Sequence, residues 1–398
     1  MKVLQLCNKP PYPSIDGGCI AMKSISLGLL NNNVDLKIIC ISTIKHPFSI
    51  TDFPKTFVKK TKLESVFLNT KINIIDAFSS IITSGCYNVS RFFSADLDIK
   101  LKEDLKDNEY DFIILESLFL TPYITTIQNN STAKIILRSH NFEYLIWQRL
   151  AQKEKNILKK GYLNHLASSL KKYETKILSD VNGIATISHE DTKKYLAVNP
   201  NLKITTIPFG IDFENYTPTY NQPLGNLKLF HIGAMDWNPN IEAVNWFLDS
   251  VWDSFNTKAI DVELHLAGKS MPNTLLNLNT KQVINHGQVD SAKAFISNHD
   301  VMVVPLFSGG GMRIKIIEAM AMGKTVISTS IGLEGINATH QKNVIVANSK
   351  EEFIIEINQL IKNPNKTIEI GKNARLFVEE EHNNDLLVKS LISFSNSL

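Results

Sequence analysis

The chain has 398 residues, of which 43% are hydrophobic and 20% are charged. This composition is typical of a soluble globular protein, and the length suggests two domains. No stretch approaches the roughly 18 apolar residues that a membrane-spanning helix needs. The net charge of +3 is uneven: it is +7 up to Asp212 (27 basic and 20 acidic residues) and −4 in the remainder (15 and 19).

The basic first half favours an anionic acceptor or an anionic membrane surface, although unselected surface composition explains it equally well. The four cysteines form no C-x-x-C pair and no histidine cluster accompanies them: Cys7, Cys19, Cys40 and Cys86. We therefore expect neither zinc nor disulfides. Reduced thiols and the absence of a signal-peptide core predict a cytoplasmic protein, with the inner face of the membrane as the alternative location.

The first elements predict a Rossmann-like opening. A strand at residues 2–7 leads into a proline- and glycine-rich loop that ends in Gly17 and Gly18. A helix at 20–30 and a strand at 35–41 follow. The G-x-G-x-x-G dinucleotide motif is absent. Residues 53–83 are less regular, and Lys55, Lys59, Lys60 and Lys62 precede apolar runs at 72–75 and 81–82.

A polar cluster follows the predicted strand at 134–137. Arg138, His140 and Glu143 come directly after this strand, at the carboxyl edge of the sheet, where open α/β sheets bind ligands. His140 is a candidate site residue. Arg138 and Glu143 could orient either His140 or the acceptor. The alternative is that His140 caps the next helix or is an ordinary loop residue.

Two helices are predicted at 143–160 and 162–178. Between Lys153 and Lys176 the chain has seven Lys and two Glu, and Leu158, Leu163, Leu166 and Leu170 give an apolar face. Such a helix lies on anionic lipid or presents a solvated face above a core. After a strand at 183–187, Ser188 and the following acids predict a helix start, which makes His189 structural.

The pattern predicts a first domain at 1–212, a linker at 213–226, a second domain at 227–380 and a final helix at 381–398. In the second domain, the strand at 227–232 leads to a turn at Gly233, and further strands are predicted at 261–267, 283–287 and 301–305. Three more helices are predicted at 350–361, 367–380 and 385–394.

The most informative stretch runs from residue 303 to 327. The strand ending at Pro305 leads through Ser308 into Gly309, Gly310 and Gly311, and then into a helix with apolar residues on one face: Ile314, Ile317, Met320 and Ala321. Gly323 ends the helix and a strand follows, so the segment is a βαβ unit of a parallel sheet. Glycines let backbone amides approach a ligand, and the positive helix end suits a phosphate.

The charges of this helix also indicate a phosphate-binding site. Its first turn has Arg313 and Lys315 where an acid is normal, and its first acid is Glu318. A bound diphosphate would resolve the repulsion between two cations and the helix end. Glu318 is then within reach of a ribose hydroxyl if its side chain faces the ligand. The alternative is a surface helix with two solvated cations.

The stretch resembles the signature of the family 4 retaining glycosyltransferases of the GT-B fold, and its SGGG-x-R-x-K part resembles one subset of them. The matching residues are Pro305, Gly309 to Gly311, Glu318 to Ala321, Gly323, Val326 and Ile327. The usual pattern has two glutamates eight positions apart. The second corresponds to Glu318, which binds ribose in the family, and the first falls on Gly310, so the usual donor-sugar contact is missing.

The resemblance implies an α/β fold of two Rossmann-like domains that face each other across a cleft, with the last helix returning to the first domain. It implies that Gly17, Gly18 and His140 lie near the cleft, and that Ser308 and Met312 join the glycines in donor binding. Residues 53–83 would face the acceptor or touch the membrane. The usual Arg and Lys after Gly233 are absent, and we infer that Arg313 and Lys315 replace their charge.

We therefore predict a glycosyltransferase that uses a UDP-, GDP- or similar nucleotide sugar, without a cofactor or metal, and acts on a glycan or lipid-linked acceptor, as many relatives do in bacterial surface polysaccharide synthesis. His140, Arg313 and Lys315 are its predicted catalytic residues. The alternatives are a sugar-nucleotide epimerase or hydrolase and a catalytically silent nucleotide-sugar-binding protein. No nucleic-acid partner is expected, because no basic stripe is interleaved with aromatic residues.

Overall fold

The computed structural model describes residues 1–13, 16–70, 86–220, 225–256, 262–309 and 311–398. They form two compact units, one of Met1–Gly210 with Asn384–Leu398 and one of Ile211–Asn383. Each unit contains a parallel sheet with helices between consecutive strands. The prediction of two Rossmann-like α/β domains is thereby confirmed.

The described residues of the first unit form a seven-stranded sheet of order β3-β2-β1-β4-β5-β6-β7. Its strands are β1 (Lys2–Cys7), β2 (Asp35–Ser42), β3 (Glu64–Phe67), β4 (Phe112–Leu115), β5 (Lys134–Ser139), β6 (Gly183–Thr186) and β7 (Ile204–Thr206). The α-helices among the described residues of this unit are Gly17–Asn31, Lys55–Thr61, Tyr87–Ser90, Ala95–Asp107, Ile124–Asn130, Glu143–Lys153, Ile157–Ile177, His189–Val198 and Asn384–Asn396. Short 3₁₀ turns lie at Ile50–Asp52 and Leu118–Tyr123.

The C-terminal helix, Asn384–Asn396, belongs to the first unit although the chain reaches it from the second. It packs closely on the helix Gly17–Asn31, since a Cβ at Gly28 would lie 2.4 Å from Cγ2 of Val388. Val388 and Leu391 are fully buried in the same apolar cluster as Met22 and Ile25. Burial of these side chains stabilises the helix in this position.

In the second unit, the described residues form a six-stranded sheet of order β10-β9-β8-β11-β12-β13. Its strands are β8 (Leu227–Ile232), β9 (Val262–Ala267), β10 (Val283–Gly287), β11 (Val301–Val304), β12 (Thr325–Ser328) and β13 (Ile345–Val346). The α-helices are Asn238–Trp246, Asp253–Asn256, Asn273–Leu276, Ala292–Ser297, Ile314–Ala321, Lys350–Lys362 and Pro364–Glu381. A π-helix spans Phe247–Trp252 and a 3₁₀ turn spans Phe213–Asn215.

In both sheets the direction of the strand order changes at the strand that comes first in sequence. In the first sheet β1 lies between β2 and β4, and in the second sheet β8 lies between β9 and β11. Connections that leave the two central strands run to opposite sides of the sheet. The crevice that opens at their carboxyl ends is where open α/β sheets bind ligands. Each unit therefore has one such switch point, and the candidate residues can be traced to them.

Several predicted elements differ from the structure at their ends. The helix predicted at 20–30 begins at Gly17, because Asp16 caps it and accepts the Cys19 amide at 2.9 Å. The helix predicted at 143–160 ends at Lys153, and Asn156 caps a new one. The strands β3 and β13 were not predicted. No helix among the described residues is long and apolar enough to cross a membrane.

Candidate functional site

The glycine bend after β11 adopts backbone conformations that other residues rarely take. Gly309 has a φ of +96° and Gly311 a φ of +83°. A Cβ at Gly309 would lie 2.8 Å from Cζ2 of Trp237. Gly310 lies outside the described residues. The bend therefore needs glycine at Gly309 both for its backbone angle and for its contact with the Trp237 ring.

The signature helix, Ile314–Ala321, follows the bend directly. Within the described chain no side chain caps its amino end, and its first turn contains no acid. Ile317, Met320 and Ala321 are fully buried, as predicted, together with Ile316 and Ala319, whereas Ile314 is half-buried. The buried face holds the helix in place, and the amino end of the helix points at the bend. No acidic side chain of the first turn offsets the positive end of the helix dipole.

Lys315 turns from this helix toward the end of β8. Its ammonium group donates to Oδ1 of Asn240 at 2.8 Å and to Nε2 of His231 at 3.2 Å. The Nδ1 of His231 donates to the Val303 carbonyl at 2.8 Å, which fixes the tautomer and leaves Nε2 as an acceptor. Burial, reinforced by Lys315, holds the pKa of His231 well below its usual value, so this partner is neutral.

Gly233 makes room for this arrangement, because a Cβ there would lie 3.0 Å from Nζ of Lys315 and 2.7 Å from Nδ2 of Asn240. Burial, and next the charge of Arg313, lower the pKa of Lys315 to about 7. No carboxylate of the described residues forms an ion pair with its ammonium group. The end of β8 therefore holds a cation that only neutral groups support.

Arg313 precedes the signature helix and is 5% exposed. Its Nη1 donates to the Gly311 carbonyl, and its guanidinium lies over the Trp237 ring, 5.3 Å from the centroid. A Cβ at Gly309 would lie 3.3 Å from its Nη2. Two cations and the glycine bend thus meet at the β8–β11 switch point.

Three other predicted donor-binding residues, Glu318, Ser308 and Met312, have partners of their own. Glu318 accepts a hydrogen bond from the Tyr216 hydroxyl at 2.7 Å, and burial raises its pKa. The Lys293 ammonium lies 4.2 Å from the centroid of the Tyr216 ring. Ser308 donates to Oε2 of Glu242 at 2.8 Å. Met312 is half-buried beside Gly335.

In the first unit, a buried carboxylate occupies the switch point. Glu116 follows β4 and is fully buried. Its Oε1 accepts from Nε2 of Gln5 at 2.7 Å, and its Oε2 accepts from Nη1 of Arg138 at 3.0 Å and from Nε2 of His140 at 2.9 Å. Burial opposes its ionisation, but the Arg138 charge and the His140 bond outweigh this and lower the pKa of Glu116 to about 2.

The hydrogen bonds around Glu116 and Glu174 show what the predicted acceptor-side residues contact. Arg138 is 1% exposed, and its guanidinium donates to Glu116 inside the protein. His140 uses Nε2 toward Glu116, which leaves Nδ1 as its second functional atom. His140 does not cap the next helix, because the amides of Glu143 and Tyr144 donate to Glu174 at 3.3 Å. Burial and the neighbouring Glu174 raise the pKa of Glu143 to about 7.

The paired glycines of the first unit open a helix and do not end a loop. Gly17 is the first residue of the helix Gly17–Asn31. A Cβ at Gly18 would lie 2.9 Å from Nζ of Lys9, which forms an ion pair with Asp16 at 2.6 Å. Burial raises the pKa of Asp16, but Lys9 and the Cys19 amide overcome this and lower it to about 2.

Sequence reasoning missed the residues that hold the predicted ones: Gln5, Glu116, His231 and Asn240. Glu116 carried a usable signal, since it is an acid directly after a four-residue apolar strand. It also missed a histidine cluster, His265, His286 and His299, whose ligand atoms lie within 4.8 Å of one another. No sequence spacing indicates this cluster, because the three residues come from separate segments. The four cysteines are free thiols.

Comparisons with known proteins agree with this architecture. Residues 226–363 match the family model described as Glycosyl transferases group 1. An uncharacterized 44.6 kDa protein from the cps region of Klebsiella pneumoniae is 24% identical, over 98% of both chains.

Two solved structures have the same fold. The sucrose-phosphate synthase of Thermosynechococcus elongatus superposes with a TM-score of 0.70 at 15% identity, covering 100% of this chain and 99% of that one. Anabaena HepE in complex with UDP and glucose gives a TM-score of 0.65 at 14% identity, covering both chains fully. The second unit thus carries a glycosyl transferases group 1 domain, and the chain has the fold of the GT-B glycosyltransferases.

Proposed function

We propose that this protein is a hexosyltransferase that moves a sugar from a nucleoside-diphosphate sugar to a glycan or lipid-linked acceptor, with retention at the anomeric carbon. The observation that carries this proposal is the Lys315 ammonium held beside Gly233 by neutral groups, next to Arg313 and the glycine bend. A leaving diphosphate develops negative charge in the transition state, and fixed cations and amides stabilise it.

These cations also support a reaction that needs no metal at the diphosphate. Arg313 and Lys315 supply two positive charges at the switch point, which is the role a divalent ion has in other transferases. Glu318 suits a ribose hydroxyl, because its Oε1 is already fixed by Tyr216 and a carboxylate accepts several hydrogen bonds. His140, oriented by Glu116, suits the sugar or the acceptor hydroxyl. Attack by that hydroxyl on the face of the departing diphosphate gives retention.

The relatives support the substrate class. The Klebsiella pneumoniae protein is named for a cps region, and the Anabaena structure contains UDP and glucose. We infer a role in surface polysaccharide synthesis, with a nucleotide-sugar donor and a cytoplasmic active site.

The test combines binding with turnover. Thermal-shift screening against nucleoside diphosphates identifies the base, and the matching nucleotide sugars are then assayed with lipid and glycan acceptors. Lys315→Met should lose the thermal shift, whereas the exposed Lys342→Met should keep it. NMR of the product's anomeric proton reports retention or inversion. Equal shifts in both variants would contradict the assignment of the pocket.

A lipid-linked acceptor would bring the protein to an anionic membrane surface, and one region of the first unit suits this. Ile157 and Leu158 are 84% and 86% exposed at the start of the helix Ile157–Ile177. Lys159 and Lys160 follow them and are exposed as well. The predicted apolar face thus excludes Leu158, while Leu166 and Leu170 are buried. Apolar side chains beside lysines bind anionic interfaces.

Vesicle co-sedimentation tests this contact. The chain should sediment with vesicles that contain phosphatidylserine and remain in solution with phosphatidylcholine alone. Replacing Ile157 and Leu158 by Ser should abolish sedimentation, whereas Leu376→Ser, which removes an apolar side chain that is 56% exposed, should not. Equal sedimentation of both variants would contradict the contact.

A further inference from the structure

Three histidines of the second unit meet on one face of its sheet. His265 lies on β9, His286 lies on the edge strand β10, and His299 lies between the helix Ala292–Ser297 and β11. Val262, Leu264 and Leu266 of β9 belong to an apolar core cluster, so the alternating His265 faces the other side of the sheet. The three imidazoles each offer one nitrogen, and these nitrogens lie within 4.8 Å of one another.

Two of the rings have their tautomers set by neighbours. The Nε2 of His265 lies 3.3 Å from Oε2 of Glu263 and donates to it, which leaves the Nδ1 lone pair facing the cluster. The Nδ1 of His299 donates to the Phe295 carbonyl at 2.6 Å, which leaves Nε2 as its ligand atom. Metal-binding histidines characteristically donate their other nitrogen to a carboxylate or a backbone carbonyl in this way.

The cluster also combines rigid ligands with access from solvent. His265 and His299 are 7% and 5% exposed, and the His299 ring is held between those of His265 and Phe295, with both centroids 4.3 Å away. His286 is exposed, and its Nε2 lies 3.0 Å from Nδ1 of His265. In a tetrahedral zinc site, ligand nitrogens about 2.0–2.1 Å from the ion are roughly 3.3 Å apart. The 3.0 Å between the His265 and His286 nitrogens is close to that spacing.

We propose that His265, His286 and His299 bind a divalent transition-metal ion, with Zn²⁺ as the best fit to three imidazoles, and that a water molecule takes the fourth position on the His286 side. The ion ties the edge strand β10 and the segment before β11 to β9. None of its ligands belongs to the group of Arg313, Lys315 and the glycine bend. The proposed site is independent of the proposed transfer reaction.

The test uses tag-free protein stripped of metal with a chelator, because an affinity tag of histidines would bind the probe. Titration of Zn²⁺ followed by calorimetry should give one ion per chain, and Zn²⁺ should raise the thermal midpoint by several degrees. Co²⁺ should give the strong visible bands of a tetrahedral site. His286→Gln should weaken binding at least about tenfold. Its metal-free midpoint should stay unchanged, because His286 is exposed.

His189→Gln is the matched control, since His189 is an exposed histidine of the other unit. It should bind Zn²⁺ like the unchanged chain. Three results would overturn the proposal: no bound ion in the unchanged chain, the same affinity in His286→Gln and the control, or Co²⁺ bands of thiolate charge transfer. The last would assign the ion to a cysteine.

Discussion

At the switch point of the first sheet the charged group with the most hydrogen bonds is a carboxylate, Glu116, whereas at that of the second it is an ammonium, Lys315. Glu116 is compensated within the protein, because Arg138 lies at 3.0 Å. Lys315 is supported by the neutral side chains of His231 and Asn240, and Arg313 adds a second cation nearby. The first site therefore pairs opposite charges, whereas the second brings two basic side chains together.

The contrast separates the tasks of the two units. A compensated carboxylate holds His140 in one orientation, which suits a residue that handles hydroxyl groups. Under the proposed function, a bound diphosphate offsets the repulsion between the Lys315 ammonium and the Arg313 guanidinium. The second half of the chain carries a net charge of −4, so the positive pocket results from local placement and not from composition.

Removing the negative charge of Glu116, which compensates Arg138 in the first unit, should have the largest energetic effect. Glu116→Gln keeps the shape but leaves the Arg138 charge buried without its partner, which should lower the free energy of unfolding by about 3–5 kcal/mol. Urea unfolding measures this. Glu190→Gln, which removes an exposed ion pair with Lys193, should change it by about 0.5 kcal/mol or less. Similar losses in both variants would contradict the compensated site.

Removing a cation in the second unit should reduce transfer. Lys315→Met and Arg313→Ala each take away one fixed positive group at the diphosphate, so transfer should fall by about 10²–10³-fold. Steady-state kinetics with saturating acceptor measure this. Arg149→Ala, an exposed arginine of the first unit, serves as the control. An unchanged rate in Arg313→Ala would refute the charge replacement at Gly233.

His140 should affect turnover without affecting donor binding. Its replacement by Ala removes a positioned imidazole, which should lower transfer by about 10²-fold. The affinity for the nucleoside diphosphate should stay the same, because the cations lie in the other unit. Calorimetry and transfer kinetics on the same preparation separate the two effects. A parallel loss of affinity would show that His140 supports the donor instead.

Donor affinity should depend on pH through Lys315. Its pKa is lowered to about 7 in the free protein, and a bound diphosphate raises it, so binding takes up a proton above pH 7. The affinity should therefore decrease by roughly tenfold from pH 7 to 8.5. Over this range the charge of the diphosphate stays nearly constant, because its last ionisation has a pKa near 6. Calorimetry in buffers of different ionisation enthalpy counts the proton. Lys315→Met should flatten this dependence.

The smallest effect is expected at the glycine bend. Gly309→Ala forces a side chain into a φ of +96° and against the Trp237 ring, 2.8 Å away. Strain of about 1 kcal/mol should weaken diphosphate binding about fivefold while the fold persists. Titration with the nucleoside diphosphate measures it. Gly161→Ala, where a Cβ meets nothing within 4 Å, should leave binding unchanged.

Local sequence patterns were enough to predict the parallel α/β fold and to single out the candidate residues of the second unit. Apolar runs bounded by glycine and polar residues predicted β1 and β8 with their observed bounds, because strands buried on both faces leave a largely apolar signal. The glycine bend and its cations lie within a few residues of each other, so a local pattern sufficed to find them.

Only the tertiary structure decided which groups hold these residues. Glu116 reaches His140 across two strands, and Lys315 reaches His231 across 84 positions of the chain. The metal-binding histidines come from three segments for the same reason. Such contacts depend on strand order, which no periodicity encodes, because side chains that are far apart in sequence become neighbours only when the sheet assembles.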